Sequence, residues 1–160
     1  MTRRALVLVL TLAPIVVGVG CGAGRNTMIG VALAAEQRSA IRLRLTIGEK
    51  VLAASLIDSE TTRDFISLLP LTLTMNDLFR REKSGDLPRR ISEGAQRTRT
   101  YEVGDIIYWS PSAHLAIYYR HDGETIPSPG IIVIGKIDSG VEALNVPGTV
   151  KLTIEVSDNR

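Results

Sequence analysis

Few residues in this sequence have the type and spacing that catalysis or ligand binding needs. The two histidines, His114 and His121, flank one apolar segment, and the single cysteine, Cys21, lies far from both. A metal site needs ligands that converge at close, regular spacing, so no metal is expected. No glycine-rich turn follows a strand-like run and opens a helix, so neither a phosphate cradle nor a cofactor is expected. No local motif signals a Ser–His–Asp arrangement. Asp86 and Asp105 each follow a glycine, and Asp138-Ser139 precedes Gly140. These placements suit turns and helix caps, where a short side chain accepts from nearby backbone N–H groups.

Basic residues offer a second kind of chemistry. Arg80, Arg81, Lys83, Arg89, Arg90, Arg97 and Arg99 gather in one stretch, within a chain whose net charge is only +2. That balance lacks the basic excess of a nucleic-acid binder, so no nucleic-acid partner is expected. The cluster reads either as a solvated loop or as a rim facing an anion or a partner. Tyr108, Trp109, Tyr118 and Tyr119 hold most of the aromatic content. On strands, one of each adjacent pair should face the core and the other solvent. An exposed aromatic body with a polar tip suits recognition.

The elements that must position these residues are mostly strands. Residues Ile41 to Ile47 alternate apolar and polar, which is the pattern of a half-buried strand. Gly48-Glu49-Lys50 turns, and Val51 to Ile57 returns as the second arm of a hairpin. Asp58 or Ser59 caps a short helix that carries Phe65, Ile66, Leu68 and Leu69, and Pro70 stops it. Leu71 to Met75 alternates again. Asn76 to Thr100 is irregular, and Tyr101 to Val103 reads as a short strand. Further strands are expected at Ile106 to Trp109, His114 to Tyr119, Ile131 to Ile137 and Val150 to Val156, with a helical piece at Val141 to Leu144. About eight strands and two short helices, in a chain long enough to bury a core, imply an all-β closed barrel.

The N-terminus carries an address. Arg3 and Arg4 precede an apolar run from Ala5 to Val19 that is shorter than the roughly 20 residues of a membrane span. Residues 1–36 are therefore expected to be an export signal, 37–40 a linker and 41–156 the folded domain. Two exits compete. Gly18-Val19-Gly20-Cys21 resembles a lipobox, which would lipidate Cys21, and Ala32-Leu33-Ala34 fits ordinary signal-peptide cleavage. An uncleaved anchor is the remaining alternative. The expected location is periplasmic or extracellular, with membrane attachment only through a lipid on Cys21.

One stretch resembles a known family. Ile131-Ile132-Val133-Ile134-Gly135-Lys136-Ile137, followed by Gly140, Glu142 and Ala143, resembles the cyclophilin segment His-Val-Val-Phe-Gly-Lys-Val and the Val-Glu-Ala helix after it. A narrower resemblance lies in Leu69-Pro70-Leu71-Thr72-Leu73, Gly85-Asp86-Leu87-Pro88, Val103-Gly104-Asp105-Ile106, Leu115-Ala116-Ile117-Tyr118 and Ile137-Asp138-Ser139-Gly140. Together these look like the small cyclophilin-like family of bacteria and archaea, over nearly all of Ile41 to Glu155.

The resemblance implies a closed eight-stranded β-barrel capped by helices. In cyclophilins an Arg beside an apolar pocket donates to the prolyl nitrogen and weakens the amide resonance that slows rotation. Arg90 matches that Arg by position, with Arg89 as competitor. Ile131 stands where cyclophilins carry His, Ala116 where they carry the pocket Phe, and the active-site Gln has no counterpart. The expectation is a module binding a peptide or small ligand, with Arg89, Arg90, Tyr118 and Arg120 on its rim. Alternatives are a divergent peptidyl-prolyl isomerase with Arg90 as catalyst, and a structural envelope domain without ligand.

Overall fold

The computed structural model describes residues 41–157. The expected export segment, the expected linker and Cys21 lie outside the described residues. Nine strands follow in chain order: β1 (Arg42–Ile47), β2 (Lys50–Leu56), β3 (Leu71–Leu78), β4 (Glu82–Asp86), β5 (Arg97–Thr98), β6 (Asp105–Trp109), β7 (His114–Tyr118), β8 (Ile131–Ser139) and β9 (Val150–Val156). Helix α1 (Glu60–Ile66) lies between β2 and β3, and a 3-10 turn covers Val141–Leu144. The sheet runs β2-β1-β9-β3-β4-β7-β6-β8, and β2 pairs with β8 to close it. The fold is thus a closed eight-stranded antiparallel barrel. The short β5 adds to it, pairing Arg97 with Ile132 and Thr98 with Ile131 on β8. Closure leaves the eight barrel strands without a free edge.

Alternation fills the barrel. Leu43 and Leu45, Leu52 and Leu56, Leu73 and Met75, Ile106 and Tyr108, Leu115 and Ile117, and Leu152 and Ile154 belong to one buried core with Phe65 of α1 and Leu144 of the 3-10 turn. Each such side chain contributes about 1.5–3 kcal/mol by leaving water. Ser59 starts α1: its hydroxyl accepts from the Thr62 N–H at 3.1 Å. The helix turns Thr61, Thr62 and Phe65 inward, whereas Ile66, Leu68 and Leu69 are only partly buried. The second helical piece is a 3-10 turn capped by Gly140 without a side-chain bond. Asp138 instead accepts from the Ser55 hydroxyl at 2.7 Å.

The stretch from Asn76 to Thr100 is more regular than its composition suggests. β3 runs on to Leu78, and β4 pairs with both β3 and β7. The inward positions of β4 are Lys83 and Gly85. A Cβ at Gly85 would lie 2.8 Å from the Met75 sulfur and from the Thr74 carbonyl oxygen, so only glycine fits. Leu78 to Arg81 forms the β3–β4 turn, closed by the Arg81 N–H on the Leu78 carbonyl. Phe79 and Arg80 both take left-handed φ there, 54° and 55°. Two left-handed central residues match the twist of a hairpin. Residues Tyr101 to Val103 form no strand; the nearest pairing is β5.

Two expectations about exposure are corrected. Arg81 and Lys83 are buried rather than solvated. Tyr118 and Tyr119 are both buried, at 2% and 9% exposure, because β7 is covered on both faces. Tyr119 belongs to the barrel core, and Tyr118 to a second cluster with Tyr101, Ile107, Ala116, Ile126 and Ile131. That second cluster lies on the opposite face of β6, β7 and β8.

Candidate functional site

The outer face of β4, β7, β6 and β8 holds a pocket of about 340 Å³. Its size is at the small end of the range for ligand sites. Ile107, Ala116 and Ile131 supply apolar lining. The pairing of the strands explains its depth. Ala116 stands opposite Ser84 on one side and Ile107 on the other. The small side chains of Ala116 and Ser84 leave room that larger ones would fill. Leu78, Phe79, Ile126 and Pro127 contribute an apolar margin, and Trp109, Ser112 and His114 also line the pocket.

Arg81, Glu82 and Tyr118 bring polar groups to this apolar setting. Glu82 is 5% exposed. Burial pushes its carboxyl upward, while the Tyr118 hydroxyl and the Arg81 charge pull the other way. Arg81 is held by Asp122, which accepts from Nη1 at 3.0 and 3.2 Å. Its Nε has no hydrogen-bond partner and stands 3.9 Å from the Glu82 carboxylate. Burial opposes the Arg81 charge, and Asp122 and Glu82 more than offset it. Asp122 is fixed in turn by the Tyr101 hydroxyl, which donates at 2.5 Å. That bond, with help from the Glu124 N–H and Arg81, holds the Asp122 carboxyl down to about 2. Tyr101 stacks on Tyr118 at 3.9 Å and on His121 at 4.6 Å between ring centres. The Arg81 guanidinium lies 5.0 Å from the Phe79 ring centre.

The residues singled out by sequence are dispersed. Tyr118 lines the pocket. Arg90 donates to the Ser110 and Pro111 carbonyls, at 2.5 and 3.0 Å, and so steadies the β6–β7 hairpin rather than lining the pocket. Arg89 donates to Asp64 at 2.6 Å and to Ser67 at 2.8 Å, clamping its loop onto α1. Arg120 is exposed, and its backbone N–H donates to the Arg81 carbonyl. Arg81, Glu82 and Trp109 were not foreseen as a group. One signal was available: Ile131 and Ala116, two of the departures from the cyclophilin pattern, both line the pocket.

His114 makes a short polar chain. Its Nε2 is 2.6 Å from Asp86, and its Nδ1 is 3.3 Å from the Ser112 hydroxyl. The order is that of a Ser–His–acid relay, in which the orienting acid is buried. Here the Asp86 side chain is 86% exposed, and Ser112 shares one hairpin turn with the histidine. The chain closes that turn. Among the described residues no group of His, Cys, Asp and Glu is placed to hold a metal ion.

Comparison with known proteins agrees with this architecture. The solution structure of a hypothetical protein from Archaeoglobus fulgidus superposes with a TM-score of 0.61 and 21% identity, covering 74% of this chain and 95% of that one. At that identity the likeness speaks for the fold. No curated protein matches. The model of the cyclophilin-like family matches residues 45–155, a span that runs from the middle of β1 into β9 and includes the whole pocket. By its sequence match over most of the chain and its closed barrel, the chain belongs to the cyclophilin-like family.

Proposed function

We propose that this protein is a binding module whose outer pocket takes an apolar group of a peptide or small ligand. One observation carries the reading: a concave site of about 340 Å³, apolar in its lining, with the buried carboxyl of Glu82 in its wall. Such a combination suits recognition, with apolar contacts for affinity and few polar groups for orientation. Trp109 is the only tryptophan and lines the pocket, so its emission reports occupancy. Titrating the full chain with n-hexanol and with an acetylated Ala-Pro-Ala peptide should give a saturable emission change for at least one. Lack of saturable response to both sinks the reading.

Isomerisation of proline peptides is the second reading, favoured by position alone: Ala116 and Ile131, which stand at cyclophilin pocket positions, both line this pocket. Its donor would be Arg81, which lines the pocket, rather than Arg90, which is turned to the hairpin carbonyls. Exchange spectroscopy on the proline peptide should show cis–trans exchange accelerated by the chain and lost in Arg81→Lys. A rate at background removes this reading. Export to the periplasm or beyond, with lipidation at Cys21 or cleavage near Ala34, is a separate proposal. Mass spectrometry of the mature N-terminus distinguishes the two exits.

A further inference from the structure

We propose that the pocket's ligand is a protonated primary amine on an apolar body, with the ammonium against Glu82 and the body on Ile107, Ala116 and Ile131. The inference rests on the binding reading above and names the ligand class.

The case begins with the acid. The Glu82 side chain is 7% exposed and lines the pocket. An ionised carboxylate offers about four lone-pair sites. The Tyr118 hydroxyl can fill only one of them, and Arg81 Nε stands off at 3.9 Å. Nη1 of Arg81 is already spent on Asp122. Glu82 and Asp122 together set two carboxylates against one guanidinium, so an ionised Glu82 is not fully neutralised by its neighbours.

Each class of ligand meets that wall differently. An anion would face Glu82 inside an apolar site. A neutral apolar ligand would cover the carboxyl further without giving it a donor, which costs free energy. An ammonium brings three donors and no acceptor. Its bond to a carboxylate is charge-assisted and strengthened by low local dielectric. A free alkylamine and a lysine side chain carry the same chemistry, so the test must separate these sources.

The full chain is titrated at pH 7 with n-hexylamine, n-hexanol and n-hexanoate, reading Trp109 emission. The amine should bind about tenfold tighter than the alcohol, and the alcohol tighter than the acid. In Glu82→Gln the amine-to-alcohol ratio should fall to near one. Equal affinity of amine and alcohol in the unmodified chain overturns the inference, as does a tighter hexanoate; both leave the pocket reading standing. A ratio that survives in Glu82→Gln also overturns it. Lack of response to all three probes removes the pocket reading and the inference with it. If Glu82→Gln does not fold, the three-probe ranking on the unmodified chain decides. An acetylated Ala-Lys-Ala peptide against its norleucine analogue supplies the last arm: a lysine preference supports a peptide-borne amine, and a preference confined to hexylamine supports a free one.

Discussion

Arg81 Nε stands 3.9 Å from the Glu82 carboxylate, beyond hydrogen-bond reach, although the two residues are neighbours in the chain and both line the pocket. The guanidinium reaches past its neighbour to Asp122 at 3.0 Å. One guanidinium therefore stands between two acids, with Glu82 the poorly matched member. Imperfectly satisfied buried polar groups mark places where function has displaced stability.

The two acids should respond to pH with opposite signs. The Glu82 carboxyl is raised by burial above its ordinary 4.5. The native state therefore holds that proton more tightly than the unfolded chain does. Its contribution is complete below pH 4.5 and is lost as pH rises through the elevated native value. Asp122, held down to about 2 chiefly by the Tyr101 hydroxyl, contributes above its unfolded value and loses that contribution as pH falls toward 2. Glu82→Gln should raise stability at pH 7 by about 1 kcal/mol and flatten the decline above pH 4.5. Asp122→Asn should lower stability at pH 7 and flatten the fall between pH 4 and 2. Urea unfolding of each variant across pH 2–8 checks both; an unchanged slope above pH 4.5 in Glu82→Gln refutes the first.

Lys83 is the second buried cation and has a different role. It is fully buried at an inward position of β4, where its ammonium donates to Asp77 at 3.0 Å and to the Val146 and Gly148 carbonyls at 2.5 and 2.8 Å. All three donors are used, so the charge is satisfied by the barrel itself. Tyr119 donates to the same Asp77 carboxylate at 3.0 Å. Replacing Lys83 by Met keeps the bulk, leaves Asp77 with Tyr119 but without its cation, and strips two carbonyls of their donor. The expected loss is about 3 kcal/mol, measured by urea unfolding at pH 7. A loss under about 0.5 kcal/mol would show that water replaces the ammonium without penalty.

This lysine also explains where the sequence was legible and where it was not. Ile41 to Ile47, Leu71 to Met75 and Val150 to Val156 alternate apolar and polar, and each coincides with a strand, apart from Ile41 just before β1. β4 reads Glu82-Lys83-Ser84-Gly85-Asp86 and shows no apolar position, because its inward sites are a neutralised lysine and a glycine that sterics demand. No pattern of hydrophobicity reveals such a strand. Since β4 carries Glu82 and Ser84 and adjoins Arg81, much of the site was hidden with it. Tyr118, on a clearly patterned strand, was found. Arg90 was assigned by order along the chain, but Ile91 turns into the core, its N–H donating to the Tyr108 hydroxyl at 3.3 Å. The Arg90 side chain goes to the hairpin instead.

Phe79 separates fold from function. Its ring is 67% exposed at the pocket margin, on a residue with φ of 54°. A bulky side chain in the left-handed region costs about 1–2 kcal/mol, and glycine there costs about 0.5–1 kcal/mol in chain entropy. Phe79→Gly should therefore leave stability unchanged or raised by up to about 1 kcal/mol. Affinity for n-hexanol should fall several-fold, because the ring covers the bound alkyl chain. Thermal unfolding and Trp109 titration check the pair. A variant that loses stability while keeping its affinity would assign the ring to folding.

Ala116 gives the sharpest steric test, because its outward position makes it part of the pocket while its strand neighbours Leu115 and Ile117 hold the barrel core. A larger side chain at 116 extends into the pocket rather than into the interior. It would pass between Ser84 and Ile107, the residues opposite it on β4 and β6. Ala116→Phe should thus keep the fold, at a cost of up to about 3 kcal/mol for a large side chain placed at a buried position. It should also abolish the Trp109 response to n-hexanol, n-hexylamine and the proline peptide alike. Ala116→Ser, which adds one oxygen and little volume, should retain all three responses. If Ala116→Phe folds and still binds, the ligand does not enter this pocket, and the outer face of β4, β7, β6 and β8 is covering for the barrel and nothing more.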